Sequence, residues 1–185
     1  MTEESGELRA PPERIRTSKL QEVHVPALVA IDHACSERYW ALGHDAAAVP
    51  QRRESDFYKL PRTHAVWVAD ADGEVAGFVA FRDEAPGVGF IEDLQVHPEL
   101  QRFGVGRRLV EKAELELRHL GFEEVVLKVW DDATWATAFY RALGFERYEA
   151  SSAPEKVRAW REEKVDTEER PYLQPGQSIL WRKLT

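Results

Sequence analysis

A chain of 185 residues with 43% hydrophobic and 31% charged residues has the composition of one soluble domain around a single core. A net charge of −8 speaks against a nucleic-acid partner, which calls for a basic face. The longest apolar runs fall short of the ~20 residues a membrane helix needs, so no membrane partner is expected.

The N-terminus, MTEESGELRAPPER, is polar and acidic with no apolar signal core, which predicts a cytoplasmic protein. Residues 1–13 read as a disordered tail, since they have no apolar period and Pro11-Pro12 opposes helix. One domain is expected over 14–185. Arg14 to Ser18 alternates as a short strand, and Leu20 to Leu42 has helical spacing through Val23, Ala27, Ile31 and Ala34, stopped by Gly43. Within it, Cys35 is the only cysteine, which rules out an internal disulfide and reads as a buried structural thiol.

Pro50 to Leu60 predicts a second helix. Thr63 to Ala69 and Val75 to Arg82 are strands around the hairpin sequence Asp70-Ala71-Asp72-Gly73. Gly89 to Val96 is a third strand, ended by Pro98. Val105, Leu109, Val110, Ala113 and Leu117 then recur at helical spacing up to Gly121. Phe122 to Trp130 is a buried strand, reached by a crossover helix and so expected parallel to the preceding one. Asp131 and Asp132 are N-cap candidates for a helix over Thr134 to Leu143, and Phe145 to Glu149 begins a further strand. A charged, partly helical insertion, 151–176, precedes the last strand, Gln177 to Lys183. It reads as a surface helix, or as a lid or dimer contact using Trp160, Tyr172 or Trp181. The order predicts an α/β (α+β) fold: a mixed, mostly antiparallel sheet of six to seven strands with helices on both faces.

The informative stretch is strand, glycine turn, helix, over Gly89 to Leu120. A turn of this kind exposes the first N–H groups of the helix, and their partial positive charge favours an anion, phosphate above all. From Gln101 to Val110 the chain carries Arg102, Arg107 and Arg108 and no acid, a local reversal of its overall charge. A P-loop would need Gly-Lys-Ser/Thr where Gly106-Arg107-Arg108 stands. A dinucleotide fingerprint would need a third glycine or alanine at Leu109 and an acid after the next strand, where only Asp131 is loosely placed. The histidines (His24, His33, His44, His64, His97, His119) have no metal-binding spacing, so no metal is expected.

Gln101-Arg102-Phe103-Gly104-Val105-Gly106 resembles the Q/R-x-x-G-x-G/A motif of the GNAT N-acetyltransferases. IEDLQVHPE precedes it as that family's fourth strand does. Trp135-Ala136-x-x-Phe139-Tyr140-x-x-Leu143-Gly144-Phe145 follows where the family has A-x-x-x-Y-x-x-x-G-F. The resemblance spans roughly Ala65 to Tyr148 and fails at both ends.

It implies the GNAT fold and direct transfer of an acetyl group from acetyl-CoA to an amine. Backbone groups of Leu94, Gln95 and Val96 would hold the pantetheine arm and the acetyl carbonyl. Amides from Gln101, Arg102, Phe103, Gly104, Val105 and Gly106 would take the pyrophosphate, with charge from Arg107 or Arg108. Tyr140 matches the tyrosine thought to protonate the leaving thiolate. Ile91-Glu92-Asp93-Leu94 is similar to the strand motif of spermidine/spermine N-acetyltransferases, which makes Glu92 the base or amine anchor, with Asp93 as the fallback. Adjacent strand residues point to opposite faces, so only one of these carboxylates is expected in the cleft. Where many family members carry a cofactor-contacting asparagine, this chain has Ala133, leaving Asp132 or Thr134 as substitutes. The implied acceptor is a small primary amine, polyamine-like or other. The alternatives are acetylation of a protein amine and a non-catalytic acyl-CoA-binding or sensor module. A homodimer is common in the family.

Overall fold

The computed structural model describes residues 10–164 and 172–185. Most of the expected tail (1–9) and part of the insertion (165–171) lie outside the described residues. Seven strands form one sheet in the order β1-β2-β3-β4-β5-β7-β6: β1 Ile15–Lys19, β2 Ala65–Ala71, β3 Glu74–Ala85, β4 Val88–Val96, β5 Glu124–Trp130, β6 Glu146–Arg147 and β7 Gln177–Lys183. β4 and β5 run parallel, as their crossover helix requires, and the other neighbouring strands are antiparallel.

The helices are α1 Val25–Trp40, α2 Glu54–Lys59, α3 Val105–His119, α4 Thr134–Ala142 and α5 Glu155–Glu163. Alternation along the strands sends side chains to two faces. On one face Ile91, Val125 and Leu127 pack with Val105, Leu109 and Leu117 of α3 and Tyr140 of α4. On the other face there are two cores. Leu28 and Ile31 of α1 and Phe57 of α2 cover Val68, Phe78 and Ala80, while Val157 and Trp160 of α5 cover Phe90, Val126 and Trp181. The seam between these two cores lies over β4.

Several local expectations are corrected. α1 starts at Val25, after a 3-10 turn at Glu22–His24, because Pro26 suits a first helical turn. α2 starts at Glu54, leaving Arg52 free to turn inward. α4 has Ala133 at its N-cap with no side-chain cap. The Asp131 carboxylate is taken instead by Ser178 Oγ at 2.6 Å and by Arg147, and that of Asp132 by His44 at 3.0 Å. α5 is no mere surface helix, since Val157 and Trp160 are 0% and 1% exposed. Burying side chains of that size supplies roughly 1.5–3 kcal/mol each, so this part of the insertion completes the core. No described helix is long and apolar enough to cross a membrane.

Candidate active site

β4 and β5 stay paired only through Ile91–Leu127. Beyond that point the edge of β4 facing β5 carries no strand. The Val96 carbonyl is turned to this open side, where it accepts from Gln101 Nε2 at 2.9 Å and from Cys35 Sγ at 3.4 Å. Leu94, two residues back, has the same backbone direction. Gln95 differs: its carbonyl lies against Gly77 of β3, close enough to collide with a Cβ there. The part of Gln95 that reaches the site is its side chain.

The turn into α3 closes the end of this opening. Arg102 (φ 68°) and Gly104 (φ 88°) are both left-handed, and the first helical N–H to find a carbonyl is that of Arg108, on Gly104 at 3.0 Å. The preceding amides therefore point out of the helix end, a concavity suited to an anion. A Cβ on Gly104 would meet nothing within 4 Å, so the backbone there can be approached closely, whereas one on Gly106 would press on Phe139 Cζ at 3.2 Å. Gly104 thus serves access and Gly106 serves packing of α3 on α4. Arg102, Arg107 and Arg108 are exposed around the turn and Phe103 is half-buried. A depression of about 280 Å³ lined by Ile15, Gly104, Arg107 and Arg108 adjoins it. Charge, free amides and open space fit a pyrophosphate on a long thiol arm.

A bulge decides the placement of the two carboxylates. Ala80 pairs with Asp93 and Phe81 with Ile91, so Glu92 is an extra residue in β4. Such an insertion breaks the alternation of side chains, and the expectation of opposite faces is corrected: both carboxylates find partners on the face bearing α1, α2 and α5. Glu92 is 36% exposed and lies 3.4 Å from Arg82 and 3.8 Å from His64, and the Arg82 guanidinium sits over the Phe90 ring in the α5 core.

Asp93 lies deeper, its side chain 13% exposed. Arg52 Nη1 is 2.5 Å from Asp93 Oδ2 and 2.9 Å from Asp32 Oδ1. Asp32, on α1, also accepts the Arg52 N–H at 2.7 Å and Gln95 Nε2 at 3.0 Å. Arg52 thus closes on Asp93 Oδ2, and Asp93 Oδ1 accepts from Gln95 Nε2 at 3.2 Å. Burial lifts Asp93 above the usual carboxylate range; Arg52 pulls the other way, while Asp32 and Glu92 add to the lift. Two carboxylates share one guanidinium here.

Tyr140 is 9% exposed. Burial, then the neighbouring Tyr39 and Asp93, pushes its phenol up, so the proton stays on Oη at neutral pH. Cys35 is likewise pushed up to about 12 by burial, in keeping with a structural thiol. A wall stands beside them: Arg38 of α1 lies 4.2 Å over the Trp135 ring and donates to Gln101 Oε1 at 2.5 Å, tying α1, α4 and the turn together. Ala133 is fully buried. Thr134 is exposed at the start of α4, and Asp132 is engaged by His44.

Glu92 and Asp93 thus stand on the α1, α2 and α5 face of β4, and Tyr140 in the core under α3, with Asp93 near enough to act on its phenol. Asp32, Arg52, Arg38 and Lys128 were not singled out in the sequence. Asp32 sits among apolar α1 positions, a polar residue on a buried helical face, which was its only readable signal.

The model of the acetyltransferase (GNAT) family matches residues 28–145, and the chain belongs to that family. An uncharacterised N-acetyltransferase of Chlorobaculum tepidum is 33% identical over 96 residues, 52% of this chain and 57% of that protein. The aminoglycoside N(6')-acetyltransferase type 1 of Stenotrophomonas maltophilia is 36% identical over 87 residues, 43% of this chain and 57% of the relative. The chain therefore spans little more than half the length of these relatives. The PaiA N-acetyltransferase of Thermoplasma acidophilum, crystallised with coenzyme A, superposes with a TM-score of 0.68 at 16% identity, covering 92% of this chain and 99% of that one, a likeness of fold.

Proposed function

We propose that this protein is an N-acetyltransferase that moves the acetyl group of acetyl-CoA to a primary amine of a small molecule by direct attack. The observation that carries the reading is the parting of β4 from β5 after Ile91–Leu127, which leaves the Leu94–Val96 edge open between the anion-binding turn and the carboxylates. The relative named for aminoglycosides supports a small-molecule acceptor.

Acetyl-CoA, when bound, supplies the acetyl thioester. Leu94 and Val96 would hold its arm through the open β4 edge, and the amides at Arg102–Gly106, with Arg102 and Arg107, its pyrophosphate, while Gln101 gives its own N–H to the Pro98 carbonyl at 3.4 Å. An alkylammonium of pKa about 10.4 is not nucleophilic at neutral pH, so a proton must leave it. Asp93, whose pKa burial raises, takes that proton, while the more exposed Glu92 anchors the incoming ammonium at the mouth. The new N–C bond forms as the C–S bond breaks, Tyr140 Oη gives its proton to the departing sulfur, and the second proton lost by the nitrogen restores the phenol, leaving the amide, the free thiol and one proton on Asp93 to pass to solvent. Burial keeps the Tyr140 phenol protonated at neutral pH, and the same desolvation would raise the proton affinity of a departing thiolate.

Titrating the protein with acetyl-CoA in a calorimeter, then following thiol release against an amine panel, tests the reading. Acetyl-CoA binding with thiol release is expected. Binding without release for any amine would favour a second reading, a non-catalytic acyl-CoA-binding module. That reading draws on the buried Ala133, which stands at the family's asparagine position. Absence of binding would overturn both.

A further inference from the structure

The last paired residues of β4 and β5, Ile91 and Leu127, both point into the core under α3. The next residue on β4 is Glu92 and the next on β5 is Lys128. They stand on the two lips of the opening, on the face away from α3, because Lys128 follows an inward residue and Glu92 is turned by the bulge. Lys128 Nζ donates to the Tyr172 carbonyl at 3.3 Å and lies 4.4 Å from the Tyr172 ring and 5.9 Å from that of Phe90.

Three other cations around this seam, Arg82, Lys164 and Arg52, each have a carboxylate. Arg82 contacts both Glu84 and Glu92, Lys164 is 2.6 Å from Glu84, and Arg52 serves Asp32 and Asp93. Lys128 is the exception among the described residues: it is half-buried, and its contacts are a carbonyl and two rings. Burial pulls its pKa down, Glu92 opposes this from too far for an ion pair, and Arg82 and Lys164 press in the same direction as burial. An ammonium drawn partly out of water without a counterion is unfavourable, and an anion arriving beside it would relieve that cost.

The groove is therefore polarised. One lip carries Glu92 and the Asp32–Arg52–Asp93 group, in which two carboxylates share one guanidinium, and the other has a cation with no carboxylate partner among the described residues. We propose that the acceptor is an amine that also carries a carboxylate, an amino acid or close analogue, with its ammonium toward Glu92 and Asp93 and its carboxylate on Lys128. A single half-buried ammonium between aromatic rings suits a singly charged carboxylate better than a phosphate dianion. Transfer neutralises the ammonium, so the product keeps only the hold on Lys128 and is released more readily than the substrate. This rests on the transferase reading of the same cleft.

The test uses matched acceptors: L-lysine against cadaverine, L-phenylalanine against 2-phenylethylamine, and phosphoethanolamine against ethanolamine. Thiol release is measured for the wild-type chain and for Lys128→Met and Lys128→Arg, each first checked by thermal melting and acetyl-CoA titration. Wild type should favour the carboxylated partner by about tenfold or more in kcat/KM. Lys128→Met should abolish that preference, lowering kcat/KM far more for the carboxylated partner than for the decarboxylated amine while sparing acetyl-CoA affinity, and Lys128→Arg should retain part of it. Titration of each amino acid into the protein loaded with coenzyme A gives a readout free of turnover. Equal or better use of the decarboxylated amines, an equal effect of Lys128→Met on both members of each pair, a preference for phosphoethanolamine alone, or no binding of any amino acid to the loaded protein would overturn the proposal. Thiol release from plain amines in that event would leave the transferase reading standing; failure to bind acetyl-CoA would remove both.

Discussion

Arg52 and Asp93 meet at 2.5 Å, a loop guanidinium against a strand carboxylate. Arg52 opposes the rise in the Asp93 pKa that burial causes, and Asp32, which shares the same guanidinium, adds to that rise. The balance leaves Asp93 a buried carboxylate more basic than a solvated one.

Asp93→Asn should lower turnover by roughly 10²–10⁴ while sparing acetyl-CoA affinity. Glu92→Gln should act mainly on the KM of the acceptor, since Glu92 stands at the exposed mouth. Steady-state kinetics beside acetyl-CoA titration separates the two roles, and the reverse pattern would exchange them.

The pH profile should report Asp93. The base works as a carboxylate, so rate is lost as pH falls through its pKa, which burial raises; the acid limb should lie above the ordinary carboxylate range. The groups facing it are Arg52, Asp32, Glu92 and Gln95, with Cys35, Tyr39 and Tyr140 behind. Arg52→Met removes the cation that opposes the rise, so the limb should move to higher pH, whereas Arg52→Lys should move it less. Because the folded state holds this proton more tightly than the unfolded chain, the stability Asp93 contributes is present at low pH and lost as pH rises through the raised pKa. Melting temperatures across pH check this second consequence.

Tyr140→Phe removes one oxygen from a ring packed against Phe139 and Phe145. The packing survives, and turnover should fall by roughly 10²–10⁴ with unchanged coenzyme affinity. Unchanged turnover takes Tyr140 out of the mechanism.

At Gly104, φ is 88°, and an alanine there pays about 1–2 kcal/mol of backbone strain. Its Cβ would also stand in the open space over the helix end. Gly104→Ala should therefore weaken coenzyme A binding and lower the melting temperature slightly, while Gly106→Ala should act through Phe139 and mainly on stability. Calorimetry and thermal melts of the two variants tell them apart.

The sequence by itself determined the order of elements and the turn that can receive an anion, because both depend on local rules. Apolar spacing makes α3, proline ends β4, and glycine permits a left-handed residue at the start of the helix. The parallel β4–β5 pair followed as well, since a helical crossover leaves little choice. Only the tertiary structure decided what surrounds the cleft. Arg52, in a loop, reaches Asp32 on α1 and Asp93 on β4, segments far apart in the chain, so no spacing could announce the group. The single extra residue at Glu92 put two neighbouring carboxylates on one side, against the alternation a strand predicts. Nothing in the sequence marks Lys128, and that it has no carboxylate partner among the described residues became visible only in the fold. Local patterns record what a residue does to its neighbours in the chain; charge balance in a cleft depends on which distant segments the fold brings together.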